Sequence, residues 1–437
     1  MPENAPDVLP VYQPDDPSAP VPHEVRRRRI FYIPGYDPIP PRRYRELYRT
    51  ESAEQARISG YEIELIGRTG RNSYGWQVDA RIETHEVEAE FDVLVWSDIV
   101  KASMDRGIAA TYLLMARTAW TYIASGTMRR LMWLRKGPVI AALYPIGMLI
   151  LQLVVALLLG WLAGGLTSWG LRAALGLVFS GGWIAYPGLV AFWLVFAAVL
   201  TFTLKYFRRI DNKLYVYYLM HDYAYSAASK GANPPELEAR MAEFGDQIAE
   251  ALESDVDEVL VVGHSSGAHL AISILADLLR AGRVPEQGPA LGFLSLGQVV
   301  PMVSFLPEAE RLRRDLHEMS RQDRIAWLDV TAPGDGCAFA LCDPVAVSGV
   351  SPNAGKRWPI VISAVFSETL APERWKELRW RFFRLHFQYM CAFDLPWDYD
   401  YFRVTAGPLT LVTRYRDRVQ SKSRIDVAAS KYTSMAP

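Results

Sequence analysis

Residues 259–270 read VLVVGHSSGAHL, and the rest of the chain is best understood outward from them. Val259, Leu260, Val261 and Val262 make an apolar, largely β-branched run that reaches Gly263, passes His264 and Ser265, and leaves through Ser266 and Gly267. Beyond it Ala268, Leu270, Ala271, Ile272 and Leu275 fall at helical spacing. The stretch is a strand, a sharp turn and a helix. A serine held at the apex of such a turn needs small residues two positions to either side, because strand and helix must pass closely. Gly263 and Gly267 meet that need. A helix that starts just after Ser265 points its free amides and the positive end of its dipole at the hydroxyl, which favours an anion formed there.

This pentapeptide in this setting resembles the nucleophile elbow of the α/β-hydrolase superfamily of serine esterases and lipases. The resemblance implies Ser265 as nucleophile and the amide of Ser266 as half of an oxyanion hole. The other half is expected from a loop after an early strand. Here Ile30, Phe31, Tyr32 and Ile33 lead into Pro34, Gly35, Tyr36, Asp37 and Pro38, so the resemblance points to the amide of Tyr36, or of Gly35. A plain strand and turn would use the same residues.

In this superfamily the catalytic acid and then the histidine follow the serine along the chain. His269 belongs to the elbow helix and His317 to a charged helix upstream of any suitable acid. That order leaves His386, although a histidine in an aromatic helix also suits a core. For the acid, the apolar run 325–330 passes into Thr331, Ala332, Pro333, Gly334, Asp335 and Gly336, and a carboxylate flanked by glycines past a strand end suits the role. Asp335 is the expected acid and Asp343, before Pro344, the alternative; either could instead cap a turn. The implied chemistry is acyl transfer from an ester or thioester to water, with no metal and no cofactor.

Residues 138–162 and 178–204 are nearly continuous apolar runs without charge. Each exceeds the length of about twenty residues that spans the hydrocarbon core. Arg129, Arg130, Arg135 and Lys136 precede the first run, and Lys205, Arg208, Arg209 and Lys213 follow the second. The connection, read as residues 164–177 with Trp169, carries only Arg172. Basic flanks stay in the cytoplasm, so both ends and the candidate site are expected there, with the lipid bilayer as partner.

The remaining patterns are simpler. Val87, Ala89, Phe91, Val93 and Val95 alternate with Glu86, Glu88, Glu90 and Asp92, a half-buried strand with an acidic outer face. Residues 61–66 and 74–82 are further strands joined through 68–73. Residues 234–252 form an amphipathic helix, with Leu237, Met241, Phe244, Ile248 and Leu252 on one stripe. The arginines 26–29 are either a solvated lead-in or a contact for anionic lipid. His221 and Asp222 are read as structural. A net charge of -1 gives no argument for nucleic acid, and three cysteines form no disulfide framework.

The expected architecture is therefore α/β: an α/β-hydrolase-like, mainly parallel sheet flanked by helices, with extra antiparallel strands and a two-helix transmembrane hairpin inserted before the elbow. Residues 1–25 are expected to be a disordered tail, 26–134 and 211–425 the two parts of the hydrolase domain, 135–210 the hairpin, and 426–437 a tail. The leading functional expectation is a membrane-anchored serine hydrolase acting on a lipid or other acyl substrate. The alternative is a catalytically silent scaffold serving as a membrane-tethered interaction protein.

Overall fold

The computed structural model describes residues 23–67 and 74–436. Most of the expected N-terminal tail and the 68–73 strand connection lie outside the described residues. Among the described residues eight strands form one sheet: β1 (Arg27–Ile33), β2 (Glu62–Ile66), β3 (Gly75–Ile82), β4 (His85–Val93), β5 (Glu258–His264), β6 (Ala290–Leu296), β7 (Ile325–Thr331) and β8 (Ile360–Ser363). Their order across the sheet is β2-β3-β4-β1-β5-β6-β7-β8. Neighbours from β4 to β8 pair in parallel, while β3 runs antiparallel to both β2 and β4. The fold is thus mixed α/β, with a mostly parallel sheet flanked by helices.

Chemistry explains which strands sit in the middle. β5 and β7 are buried at every position, as a parallel strand covered on both faces must be. β3 and β4 alternate instead, and their inner positions form an aromatic cluster. Trp76 and Phe91 stack with ring centres 4.8 Å apart, and Tyr48, Tyr401 and Phe402 pack around them. The acidic face of β4 is not wholly solvated, however: Asp92 is buried and accepts a hydrogen bond from Arg29 at 2.5 Å.

The second half of the arginine run, Arg28 and Arg29, is likewise spent inside the protein. Arg28 is buried, donates to Glu258 at 2.6 Å and satisfies the carbonyls of Gly407 and Leu409. Arg27 pairs with Asp255. A solvated lead-in still describes the exposed Arg26 and Arg27, but not Arg28 and Arg29, because adjacent strands place the buried carboxylates of Glu258 and Asp92 against them. The C-terminal residues are also held: the Asp343 amide donates to the carbonyl of Ile425, and Arg313 donates to that of Ser434.

By its contacts the chain divides into two compact units. One comprises residues 1–102, 121–139 and 229–437 and holds the sheet; the other comprises 103–120 and 140–228. The second contains most of helix Lys136–Gly176 and all of helix Ala185–Arg209, and both helices are long and apolar enough to cross a membrane. They approach closely where side chains are absent. A Cβ on Gly160 would lie 3.0 Å from the Phe196 ring, and one on Gly164 2.8 Å from the Phe192 carbonyl oxygen, the small-residue spacing that lets apolar helices meet.

One expectation is corrected here. Residues 164–176 are not a connector but continue the first helix, and the turn comes at 177–181. The glycines at 164, 165 and 170 disfavour a helix and invite the connector reading, but Pro is absent, and Leu166, Leu171, Ala173, Ala174 and Leu175 favour its continuation. The tyrosine-rich segment that holds His221 and Asp222 is helix Val216–Ala228, with Val216, Met220 and Ala224 packed on Leu149.

Glu258→Ala would leave Arg28 buried beside no carboxylate. The expected loss is about 3–5 kcal/mol of stability, measured by urea denaturation of the detergent-solubilised protein.

Candidate functional site

The turn after β5 carries the strain its sequence implies. Ser265 has φ of 56°, a left-handed conformation that is costly for a residue with a Cβ and persists only where the surroundings impose it. Its amide donates to the Leu296 carbonyl at 2.9 Å, and helix Gly267–Arg280 departs immediately. Neither flanking glycine has room for a side chain. A Cβ on Gly263 would sit 2.7 Å from the Ala268 Cα, and one on Gly267 would overlap the Ile33 carbonyl oxygen.

That close approach brings the loop after β1 to the serine. A Cβ on Gly35 would lie 3.0 Å from the Ser265 Cβ and 3.4 Å from its Oγ. The loop is tied from several sides: Trp96 Nε1 donates to the Pro34 carbonyl at 2.9 Å, and the Asp37 carboxylate accepts from the Tyr44 hydroxyl and the Ile39 amide. Tyr36 is buried in this loop, with its ring against Trp96. Ser266 stands next to Ser265 at the amino end of the helix.

Asp335 follows β7 and His386 ends a short helix, Phe382–His386. They meet: His386 Nδ1 donates to Asp335 Oδ2 at 2.6 Å. The same carboxylate oxygen accepts from the Tyr389 hydroxyl at 2.9 Å, and the other accepts from the Cys337 amide at 2.8 Å. Burial by itself would raise the Asp335 pKa. The charge and hydrogen bond of His386, with the Cys337 amide and the Tyr389 hydroxyl, outweigh burial and hold the carboxyl below its ordinary value. Asp343 lies elsewhere in this network: its carboxylate caps helix Pro344–Val347 through the amides of Val345 and Ala346 and pairs with Lys356.

His386 is brought next to the elbow by groups that pattern reading passed over. His264 Nε2 donates to the His386 carbonyl at 2.9 Å, with the two rings 4.7 Å apart. Gly297 has φ of 53° and no space for a Cβ, which would lie 3.0 Å from His386 Cε1. Gly297 directly follows Leu296, whose carbonyl holds the Ser265 amide. The Ser265 hydroxyl itself makes no hydrogen bond to the His386 ring in this conformation.

His264 occupies the variable place inside the Gly-x-Ser-x-Gly pattern, so its residue type carried no signal. Tyr389, three residues past His386 and also accepting from the Ala332 amide at 3.0 Å, was legible only as one more aromatic. The other two candidate histidines are placed differently. His269 is buried in the elbow helix, and His317 Nδ1 contacts the Val350 carbonyl at 2.8 Å.

Among the described residues, one group of three side chains could approach a metal: Asp335, Cys337 and His386, with ligand atoms all within 4.8 Å of one another. Asp335 Oδ2 and His386 Nδ1 are too close for both to bind one ion at bonds of roughly 2.0–2.1 Å in tetrahedral geometry. In this arrangement that pair of atoms shares a proton. Cys342 and Cys391 are buried, and burial pushes the Cys342 thiol up to about 12.

The eight-stranded, mostly parallel α/β sheet and this cluster at the ends of β1, β5 and β7 define the class of architecture. In comparisons with known proteins, no family model, no curated protein and no solved structure matches the chain.

Gly267→Ala should prevent helix and loop from closing on each other, and the purified variant should show a lowered melting temperature or fail to fold. A pH effect follows from the histidines. Burial lowers His264 to about 3, helped by the neighbouring His386 charge, and lowers His269 to about 4, against 6.5 for an ordinary histidine. Unfolding therefore takes up protons in that window, and their contribution, complete above 6.5, is lost as pH falls towards 3. His264→Gln and His269→Gln should each flatten the fall in stability between pH 6.5 and about 4, read from denaturation curves at several pH values.

Proposed function

We propose that this chain is a membrane-anchored serine hydrolase of α/β-hydrolase type, cleaving an ester or thioester of a lipid or other acyl substrate through an acyl-enzyme. The observation that carries this reading is the Asp335–His386 hydrogen bond at 2.6 Å, placed beside a serine on a strained strand-to-helix turn. With Nδ1–H donated to the carboxylate, Nε2 of the neutral ring is the free acceptor, the tautomer a general base requires.

The route is then specified atom by atom. His386 Nε2 takes the Ser265 hydroxyl proton as Oγ attacks the acyl carbon, and the amides of Ser266 and Tyr36 receive the oxyanion. The intermediate collapses, the bond to the leaving oxygen or sulfur breaks, and His386 returns the proton to that group. Water, deprotonated by the same nitrogen, attacks the acyl-enzyme, and Ser265 is regenerated as the acid departs. Asp335 stays ionised and stabilises the imidazolium. The route uses no metal and no cofactor.

The anchor is the pair of apolar helices, joined as a hairpin that interrupts the hydrolase domain between β4 and β5. The excess of lysine and arginine outside the two spans supports a cytoplasmic location for the catalytic unit. A silent scaffold is the second reading, favoured by the absent Ser265–His386 hydrogen bond.

Labelling of the detergent-solubilised protein with a fluorophosphonate decides between them. Wild type should react; Ser265→Ala should not; Asp335→Asn should react about ten-thousandfold more slowly. An unreactive, folded wild type supports the scaffold.

A further inference from the structure

The segment that leads into His386 is unusual for a surface exposed to water. After helix Pro372–Leu378 come Arg379, Trp380, Arg381, Phe382, Phe383 and Arg384. Trp380 is 71% exposed and Phe382 49%. The arginines 379, 381 and 384 are exposed as well. Arg381 and Arg384 share a single carboxylate, Glu377, at 3.1 and 3.4 Å. Arg379 lies over the Trp380 ring at 5.6 Å instead of pairing with an acid. Lys376 adds a fourth cation, so the patch keeps a positive excess around two bared aromatic rings.

A second observation says what covers it. The backbone of Gly336, next to the candidate acid, is touched from two sides. A Cβ there would lie 3.2 Å from the Phe382 ring, and a Cβ on Gly137 would lie 3.3 Å from the Gly336 carbonyl oxygen. Gly137 is the residue before the first apolar run, and Arg135 Nε fastens the same spot by donating to the Ala340 carbonyl at 2.8 Å. The residues just ahead of the run repeat the chemistry of the patch: Arg129, Trp133 and Lys136 are all exposed. Two segments far apart in sequence, both basic and aromatic, thus converge on one glycine where the apolar helix begins. Aromatic rings and cations together suit the headgroup region, where rings enter the interface and guanidinium groups meet phosphate.

We propose that the surface at residues 376–384 lies on an anionic lipid leaflet, so that the His386 side of the site opens onto phospholipid headgroups. The inference rests on helix Lys136–Gly176 crossing the bilayer; it does not depend on Ser265 being reactive. Lipid phosphates supply the counter-charges that Glu377 alone cannot, and Trp380 and Phe382 leave water for the interface.

The test uses the full chain in nanodiscs containing a photoreactive phosphatidylglycerol or, in parallel, a photoreactive phosphatidylcholine, with cross-linked peptides mapped by mass spectrometry. Cross-links at 376–384 are expected, stronger with the anionic lipid. Arg381→Glu with Arg384→Glu should lower that preference by about fivefold or more per arginine, and Trp380→Ser should weaken the cross-links with either lipid. Disc incorporation and melting temperature of each variant establish that it is folded. Incorporated protein with cross-links confined to the apolar helices overturns the surface while leaving the anchor standing. Equal cross-linking by both lipids overturns the role of charge. Protein that does not enter discs overturns the anchor itself, and fluorophosphonate labelling reports on the serine independently of all three outcomes.

Discussion

The contact on which the site depends is the one between Gly267 and the end of β1. The Ile33 and Pro34 carbonyls occupy the space a side chain at 267 would need, so helix Gly267–Arg280 lies directly against the loop that follows β1. Two segments more than two hundred residues apart are thereby held together at backbone distance. Ser265 is forced into its left-handed conformation, and Gly35 is set against it. Parallel pairing of β1 with β5, from Arg28 opposite Glu258 to Ile33 opposite Gly263, sets the register that makes this meeting possible.

Around that contact the polar groups satisfy one another in a connected chain. The Ala332 amide donates to the Tyr389 hydroxyl, the hydroxyl to Asp335, His386 to the same carboxylate, and His264 to the His386 carbonyl. Each of these groups would be expensive to bury without a partner. Their mutual satisfaction makes the arrangement rigid, and the depressed Asp335 pKa is its electrostatic expression. His264 illustrates the cost of such burial: it is held neutral far below the pH at which an exposed histidine would charge.

The basic residues ahead of the first apolar helix have two roles that composition does not separate. Arg130 and Arg135 donate to the carbonyls of Ala429 and Ala340 and so fasten the start of the helix to the sheet-bearing unit. Arg129 and Lys136 are exposed and make no such bond to a carbonyl among the described residues. Charge counting treats all four alike, since it sees residue type and not the carbonyl across the fold. The same blindness explains the arginines of β1, whose partners Glu258, Asp255 and Asp92 come from other parts of the chain.

By itself the sequence determined the elements whose signal is local. These are the strand, turn and helix at residues 259–270, the alternation of β4, the amphipathic helix Pro235–Leu252, and two helices apolar enough for a bilayer. Periodicity, glycine placement and apolar length are properties of neighbouring residues, so they can be read from the chain alone. Tertiary structure decided what depends on partners distant in sequence. It joined Asp335 to His386 while giving Asp343 to a helix cap and Lys356, made His264 and Tyr389 part of the same network, and buried Arg28 against Glu258. It also set the end of the first apolar helix at Gly176, because the glycines at 164, 165 and 170 weaken a helix without dictating where it stops. Hydrogen bonds and ion pairs depend on distances between atoms, and those distances exist only after strand order and register have brought remote segments together.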